Sequence, residues 1–341
     1  MTEALHPSVS AKDYASDQEV RWCPGCGDYA ILKQVQTVLA ELGVPRENVV
    51  FISGIGCSSR FPYYMGTYGL HGIHGRAPAI AYGLKITRPE LHVWIVTGDG
   101  DGLSIGGNHL IHMLRRNMDV TILLFNNEVY GLTKGQISPT SRPGQRTPST
   151  PWGSFEHPFN PVALAFGAGA TFVARTMDRD LAHMRSVLKR AAQHRGAAFV
   201  EIYQNCPVFN DGAFFAYTEK ESKPDNALFL EHGQPLVFGQ NRDRGFVLEG
   251  TALRLASFSD GLPANLWIHD ETDRTKAALL VQLLGTPDDG LPRPFGVLYA
   301  DHTRPTYEEL LAERRQHLVQ HHGGGDLSAL LRGKNWWTIG S

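Results

Sequence analysis

Five short apolar runs alternate with segments of helical periodicity across the first two hundred residues, and no other property of the chain narrows its fold as far. The runs cover 49–52, 92–97, 120–125, 170–175 and 197–203, and the first three end in Gly54, Gly98 and Asn126-Asn127. Continuous apolar runs of this length, closed by turn residues, mark strands buried on both faces. Between them lie helical patterns at 77–87, 102–117 and 179–194, with another at 28–42 ahead of the first run. Strand and helix in strict alternation predict an α/β fold, a parallel sheet with helices on both faces. With 341 residues the chain exceeds one minimal domain. The densely patterned part, 1–210, is expected to form a ligand-binding domain. Residues 211–341 form a C-terminal extension packing on that core and on a partner subunit. It carries short strands or a hairpin within 228–258, helices at 272–284 and 307–319, and a loop-like end around 323–325 and 336–337.

Charge excludes several functions. Lys plus Arg is 32, Asp plus Glu is 34, and the net charge is -2. A broad basic surface for nucleic acid is not expected. No stretch approaches the roughly 18 apolar residues of a membrane span. The first seventeen residues are polar and mixed in charge, unlike a secretory signal. A cytoplasmic location and reduced thiols follow as expectations. Glycine, at 36 residues, is in excess and predicts loops in which backbone approaches a ligand or another chain.

The chain has four cysteines, Cys23, Cys26, Cys57 and Cys206, each in a segment rich in Gly or Pro: WCPGCG, GIGCSS and NCP. Buried structural cysteines sit among apolar neighbours instead. A thioredoxin-like dithiol requires a strand before Trp22, and none is present. Zinc and iron–sulfur clusters both take four thiolates. One close pair with two distant singles favours a [4Fe–4S] cluster over structural zinc, whose ligands usually come as two close pairs; spacing alone leaves zinc open.

Gly98-Asp99-Gly100 ends one strand and opens a helix, where ligands of open α/β sheets bind. Asn127 follows Asp99 by 28 positions, one strand–helix–strand crossover, which places both side chains at the same sheet edge. A carboxylate, an amide oxygen, a nearby carbonyl and diphosphate oxygens complete an octahedral Mg²⁺ site.

This GDG…NN arrangement resembles thiamine-diphosphate enzymes. Together, WCPGCG, GIGCSSR, GIHGRA, GDGDGLSIGGNH, NNEVYGLTKGQISPTS and NCPVFN resemble the β subunits of 2-oxoacid:ferredoxin oxidoreductases, densely from Trp22 to about Asn210. The nearest likeness within that family is the 2-oxoglutarate type. The resemblance implies the thiamine-diphosphate-binding fold, a [4Fe–4S] cluster, and CoA-dependent oxidative decarboxylation of 2-oxoglutarate to succinyl-CoA with ferredoxin as electron acceptor. It assigns the cluster to Cys23, Cys26, Cys57 and Cys206, and Mg²⁺ to Asp99, Asn127 and the carbonyl of Val129. It places Ile55, Gly56, Cys57, Ser58, His74, Gly98, Gly100, Asp101, Gly131 and Leu132 around the cofactor.

His74 is expected to contact the cofactor or the reacting oxygen; His71 is assigned no role. His109 and His112, three apart on a helix, read as surface histidines rather than a metal pair. Lys134 and Arg60 are candidates for pairing with a substrate carboxylate. Thiamine enzymes need a Glu that activates the aminopyrimidine ring, carried on a second α/β unit for which this chain has no room. An α subunit is therefore expected to supply it. Three other readings remain: a pyruvate:ferredoxin oxidoreductase β subunit, a thiamine-diphosphate decarboxylase or synthase with structural zinc, and a non-catalytic electron-transfer subunit.

Overall fold

The computed structural model describes residues 9–250, 252–259, 261–286 and 288–340. The expected character of residues 1–8 lies outside that range. Eight strands form the main sheet, in the order β2-β1-β3-β4-β6-β5-β11-β7. They are β1 (Val49–Ser53), β2 (Tyr68–His71), β3 (His92–Gly98), β4 (Val120–Asn126), β5 (Phe172–Met177), β6 (Ala197–Tyr203), β7 (Ala227–Phe229) and β11 (Arg293–Ala300). From β2 through β5 all neighbours are parallel. β11 runs antiparallel to β5, and β7 pairs parallel with β11. The C-terminal extension thus adds two strands to the same sheet. Its remaining strands, β8 (Val237–Phe238), β9 (Arg244–Glu249) and β10 (Ala252–Ser257), form a small antiparallel sheet.

Alternating side chains send successive strand residues to opposite faces. Val50, Ile52, Val93, Ile95, Ile122 and Leu124 face one core, against α2 (Ala77–Thr87), α3 (Gly107–Arg115), α4 (Pro161–Gly167) and α8 (Arg274–Gln282). Val49, Phe51, Trp94, Val96, Leu123 and Phe125 face the other, against α1 (Asp28–Leu42) and α5 (Leu181–Gln193). Two short helices, α6 (Phe215–Thr218) and α7 (Lys223–Asn226), lead into β7. The last helices, α9 (Tyr307–His322) and α10 (Leu327–Arg332), bury no residue of their own. The expected loop at the C-terminus therefore contains one further helical turn and a half. Among the described residues no helix is long and apolar enough to cross a membrane.

The chain leaves β1 toward β2 on one side and resumes at β3 on the other. Strand order reverses between β1 and β3, so their carboxyl ends open a crevice, the place where ligands of open α/β sheets bind. The expected single helix over 102–117 is divided. Asp101–Ile105 forms a π-helical turn, with Gly106 N–H donating to Asp101 O at 3.1 Å, and α3 follows. Such wide turns often occur at functional sites.

Candidate active site at the sheet switch point

A cleft of about 100 Å³ opens at this crevice. The loop after β1 contributes Ile55, Gly56, Cys57 and Ser58; the β3 end contributes Gly98, Asp99, Gly100 and Asp101; the loop after β4 contributes Asn127, Val129, Gly131 and Leu132; and His74 comes from the loop after β2. Every residue expected around the cofactor lines this one cleft. Phe125, Tyr130, Thr133 and Gln204 line it too and were not foreseen. Arg60, half-buried in the helical turn Ser58–Tyr64, and Lys134, exposed with a positive φ of 76°, are not in the lining.

Asp99 is 3% exposed, and its Oδ2 accepts hydrogen bonds from Ser138 Oγ at 2.6 Å and Thr140 Oγ1 at 2.7 Å. Burial pushes its carboxyl up to about 6, against the lowering pull of the two hydroxyls. A divalent cation would relieve that desolvation. Asn127 donates through Nδ2 to Gln204 Oε1 at 2.8 Å, and its Oδ1 accepts from Val129 N at 3.2 Å. Glu128, between them, holds a positive φ of 56° that turns the chain sharply, and Ser141 Oγ donates to its carbonyl at 2.6 Å. A carboxylate, an amide oxygen and a following carbonyl at one edge suit hard-cation ligation.

Asp101 ties the crevice together. Its Oδ1 accepts Ile55 N at 3.1 Å and Gly75 N at 2.7 Å, and Thr97 Oγ1 donates to Oδ2 at 2.6 Å. A methyl group on Gly54 would lie 2.0 Å from Asp101 Oδ2, so the β1 loop closes on this carboxylate only with glycine there. His74 Nδ1 sits 2.6 Å from Asp101 Oδ1, although off the directions of a regular hydrogen bond. A carboxylate this close to Nδ1 favours the tautomer with its proton on that nitrogen. His71 stacks obliquely on Tyr63 outside the cleft, and His109 and His112 line a separate groove between α2 and α3.

All four cysteines are free thiols; Cys23 is exposed and the others half-buried. They gather beside the cleft. A Cβ on Gly131 would lie 3.6 Å from both Cys57 Sγ and Cys206 Sγ, and Cys26 is held at the end of the loop by Gln204 Nε2, 3.2 Å from its sulfur. Trp22 Nε1 donates to Cys57 O at 2.7 Å, pinning the first cysteine loop to the second. Burial pushes the Cys57 thiol up to about 12 and the Cys26 thiol further, so a cationic centre is needed to hold them as thiolates. Among the described residues no three His, Cys, Asp or Glu side chains lie close enough to hold a single metal ion. Four thiols brought together from three loops could supply one thiolate to each iron of a four-iron cluster, and equally the four ligands of a structural zinc. Two carboxylates back this region: Asp28, 1% exposed with neither oxygen hydrogen-bonded, and Asp178. Burial and mutual repulsion push Asp28 up to about 7, and burial pushes Asp178 up to about 6. They carried no sequence signal, because nothing in the sequence pairs positions 28 and 178.

Residues 54–202 match the family of thiamine pyrophosphate enzymes, C-terminal TPP binding domain. The chain is 54% identical over 333 residues to a 2-oxoglutarate oxidoreductase subunit KorB of Mycobacterium tuberculosis, covering 96% of this chain and 88% of that one. It is 39% identical over 310 residues to the β subunit of a 2-oxoacid:ferredoxin oxidoreductase of Aeropyrum pernix, covering 90% and 86%. Among solved structures, it is similar to the 2-oxoglutarate:ferredoxin oxidoreductase from Magnetococcus marinus with 2-oxoglutarate, coenzyme A and succinyl-CoA bound. That likeness has a TM-score of 0.77 and 35% identity, and spans 98% of this chain and 100% of that one.

Proposed function

The chain belongs to the β subunits of the 2-oxoacid:ferredoxin oxidoreductases, and from that premise we propose how its residues serve the reaction. It is the β subunit of an enzyme that converts 2-oxoglutarate and CoA to succinyl-CoA and CO₂, acting with an α subunit. Two electrons leave with each turnover, to ferredoxin in this reading, which also places the enzyme in the cytoplasm. The observation that carries the assignment of roles is a single one: the crevice that gathers Asp99, Asn127 and Val129 also reaches Cys57. One wall thus serves a diphosphate–metal site and an electron exit.

Thiamine diphosphate, when bound, supplies the electron sink for decarboxylation, and a [4Fe–4S] cluster accepts the electrons singly. Asp99, Asn127 and the Val129 carbonyl would hold Mg²⁺ against the diphosphate. Cys23, Cys26, Cys57 and Cys206 would hold the cluster. Glycines 56, 98 and 100 let backbone approach the anion. Asp101 fixes the His74 tautomer, so Nε2 can take or hold a proton at the reacting oxygen. Lys134, on the loop beyond Thr133, or Arg60, in the helical turn after Cys57, would meet the distal carboxylate of 2-oxoglutarate. A site that pairs a charge rejects acids lacking it.

The test is the purified complex with its α subunit, prepared without oxygen. Bound thiamine diphosphate, about four irons per β chain, and CoA-dependent ferredoxin reduction with 2-oxoglutarate are expected. A kcat/KM for pyruvate equal to or above that for 2-oxoglutarate would overturn the substrate assignment. Colourless protein without iron would overturn the cluster.

A further inference from the structure

Gln204 follows directly after β6 and is 2% exposed. Its side-chain amide has all its hydrogen-bonding groups engaged. Nε2 donates to Cys26 Sγ at 3.2 Å and to the carbonyl of Asn205, while Oε1 accepts from Asn127 Nδ2 at 2.8 Å. A carbonyl oxygen cannot donate, and neither can a thiolate, so the nitrogen end of Gln204 must face Asn205 and Cys26. The oxygen end is then left for Asn127. That in turn forces Asn127 to present its NH₂ to Gln204 and turns Oδ1 the other way, where it accepts from Val129 N at 3.2 Å. The surroundings assist. Gln204 N donates to Asn126 O at 2.9 Å, and Asn210 Nδ2 donates to Asn127 O at 2.8 Å, so the loop carrying Cys206 is tied to the loop carrying Asn127. The orientation of one buried amide decides that of the next.

We propose that Gln204 is a positioning residue shared by both centres: through Oε1 it aims Asn127 Oδ1 for metal ligation, and through Nε2–H it sets the reduction potential of the cluster held at Cys26. This rests on the functional reading above. A hydrogen bond donated to a thiolate favours the more negative, reduced cluster and raises its potential. An outer partner that fixes a metal ligand typically contributes 10–100-fold to metal affinity. One side chain therefore links cofactor retention to the driving force for electron removal.

Two substitutions separate the two roles. Gln204→Glu keeps an acceptor for Asn127 Nδ2 but removes the N–H and sets a carboxylate against the thiolate. Gln204→Leu removes both contacts. Each is prepared in the complete complex with the α subunit, under anaerobic conditions, beside the unsubstituted complex. The midpoint potential is read by redox titration followed by electron paramagnetic resonance, and thiamine diphosphate binding by calorimetry across a series of Mg²⁺ concentrations. Both variants should show a more negative midpoint, by about 59 mV for a tenfold change in a one-electron equilibrium. Gln204→Leu should need at least about tenfold more Mg²⁺ for half-maximal cofactor binding, whereas Gln204→Glu should stay close to the unsubstituted complex. An unchanged midpoint in either iron-replete variant overturns the cluster role. Equal Mg²⁺ requirements in Gln204→Leu and the unsubstituted complex overturn the metal role. Loss of iron in both variants would make Gln204 a structural support and overturn the proposal as a whole. Iron and thiamine diphosphate in the unsubstituted complex are measured first: their absence sinks the functional reading, and their presence leaves the variants testing Gln204 alone.

Discussion

Asp99 shows what a buried carboxylate requires in order to serve a cation. Two hydroxyls of one short segment, Ser138 and Thr140, converge on its Oδ2, and Thr140 Oγ1 also lies 2.9 Å from Asn126 Oδ1. A hydroxyl has one proton, and Asp99 and Asn126 both present acceptors. Asn126 commits its own Nδ2 to Glu201 Oε1 at 2.8 Å and its Oδ1 accepts from Glu128 N at 3.2 Å, which leaves the Thr140 proton for the Asp99 carboxylate. The hydroxyl pair thus holds one carboxylate oxygen and orients the group, as partners of metal-ligating carboxylates do. Thr140→Val should raise the Mg²⁺ concentration for half-maximal thiamine diphosphate binding by about tenfold or more, while Thr140→Ser, which keeps the hydroxyl, should restore it. Calorimetric titration at several Mg²⁺ levels reads this directly; an equal Mg²⁺ requirement in the Val and Ser variants would show that the hydroxyl does not matter. Asp99 and Asn127 were legible in the sequence because each follows a continuous apolar run, and the ends of adjacent parallel strands meet. Ser138, Thr140 and Gln204 were not. Their motifs, GQISPTS and QNCP, signal turns, and only the packed loops reveal which carboxylate or amide they hold.

At the level of elements, five strands of the main sheet announced themselves as apolar runs, the first three closed by Gly or Asn, whereas β2 and β11 stayed hidden. β2 has four residues, three exposed and one half-buried, and so lacks the apolar run by which buried strands are found. β11 contains Pro294 and Gly296, which argue against a strand. It is tolerated because Gly296 holds a positive φ of 119° with Leu230 packed against it, and the register shifts between Val297 and Tyr299. β11 is fastened to the core by a buried ion pair. Arg175 of β5, wholly buried, sends Nε to Glu201 Oε2 of β6 at 2.7 Å and Nη1 to Pro294 O at 3.2 Å. Glu201 also receives Asn126 of β4, so one pair joins four strands and ends at the site. Removing one partner leaves the other charged and buried, which costs about 3–5 kcal/mol. Arg175→Met and Glu201→Gln should each lower stability by that order in denaturant unfolding. The double variant should lose markedly less than the sum of the two, since no unpaired charge remains. Strict additivity would show that the pair is not coupled.

Taken as a whole, the chain carries one wall of the proposed site. The cleft lies open at the carboxyl edge of the sheet, and large apolar side chains stand exposed beside it. On the β2 edge strand Tyr68 and Leu70 are 66% and 45% exposed; Ile73, next to His74, is 71% exposed, and Ile105, at the end of the π-helical turn, is 52% exposed. Large apolar side chains exposed near a functional cleft mark an interaction surface. The chemistry requires the same addition. No glutamate lines the cleft among the described residues. The two buried near it are committed elsewhere, Glu128 to Arg142 Nε at 2.9 Å and Glu201 to Arg175. In the function proposed above, the carboxylate that activates the aminopyrimidine comes from the α subunit, which would cover Tyr68, Leu70, Ile73 and Ile105 on closing the cleft. Obligate interfaces of this kind bury about 2,000 Å² or more, so the complex should survive purification at high salt. Hydrogen exchange at residues 68–75 and 101–106 should slow on adding the α subunit to the β chain. The β chain alone should turn over no 2-oxoglutarate, because a cofactor held by one wall is neither activated nor shielded from water. Full turnover by the isolated chain would place the activating carboxylate within these 341 residues and refute a site shared between two subunits.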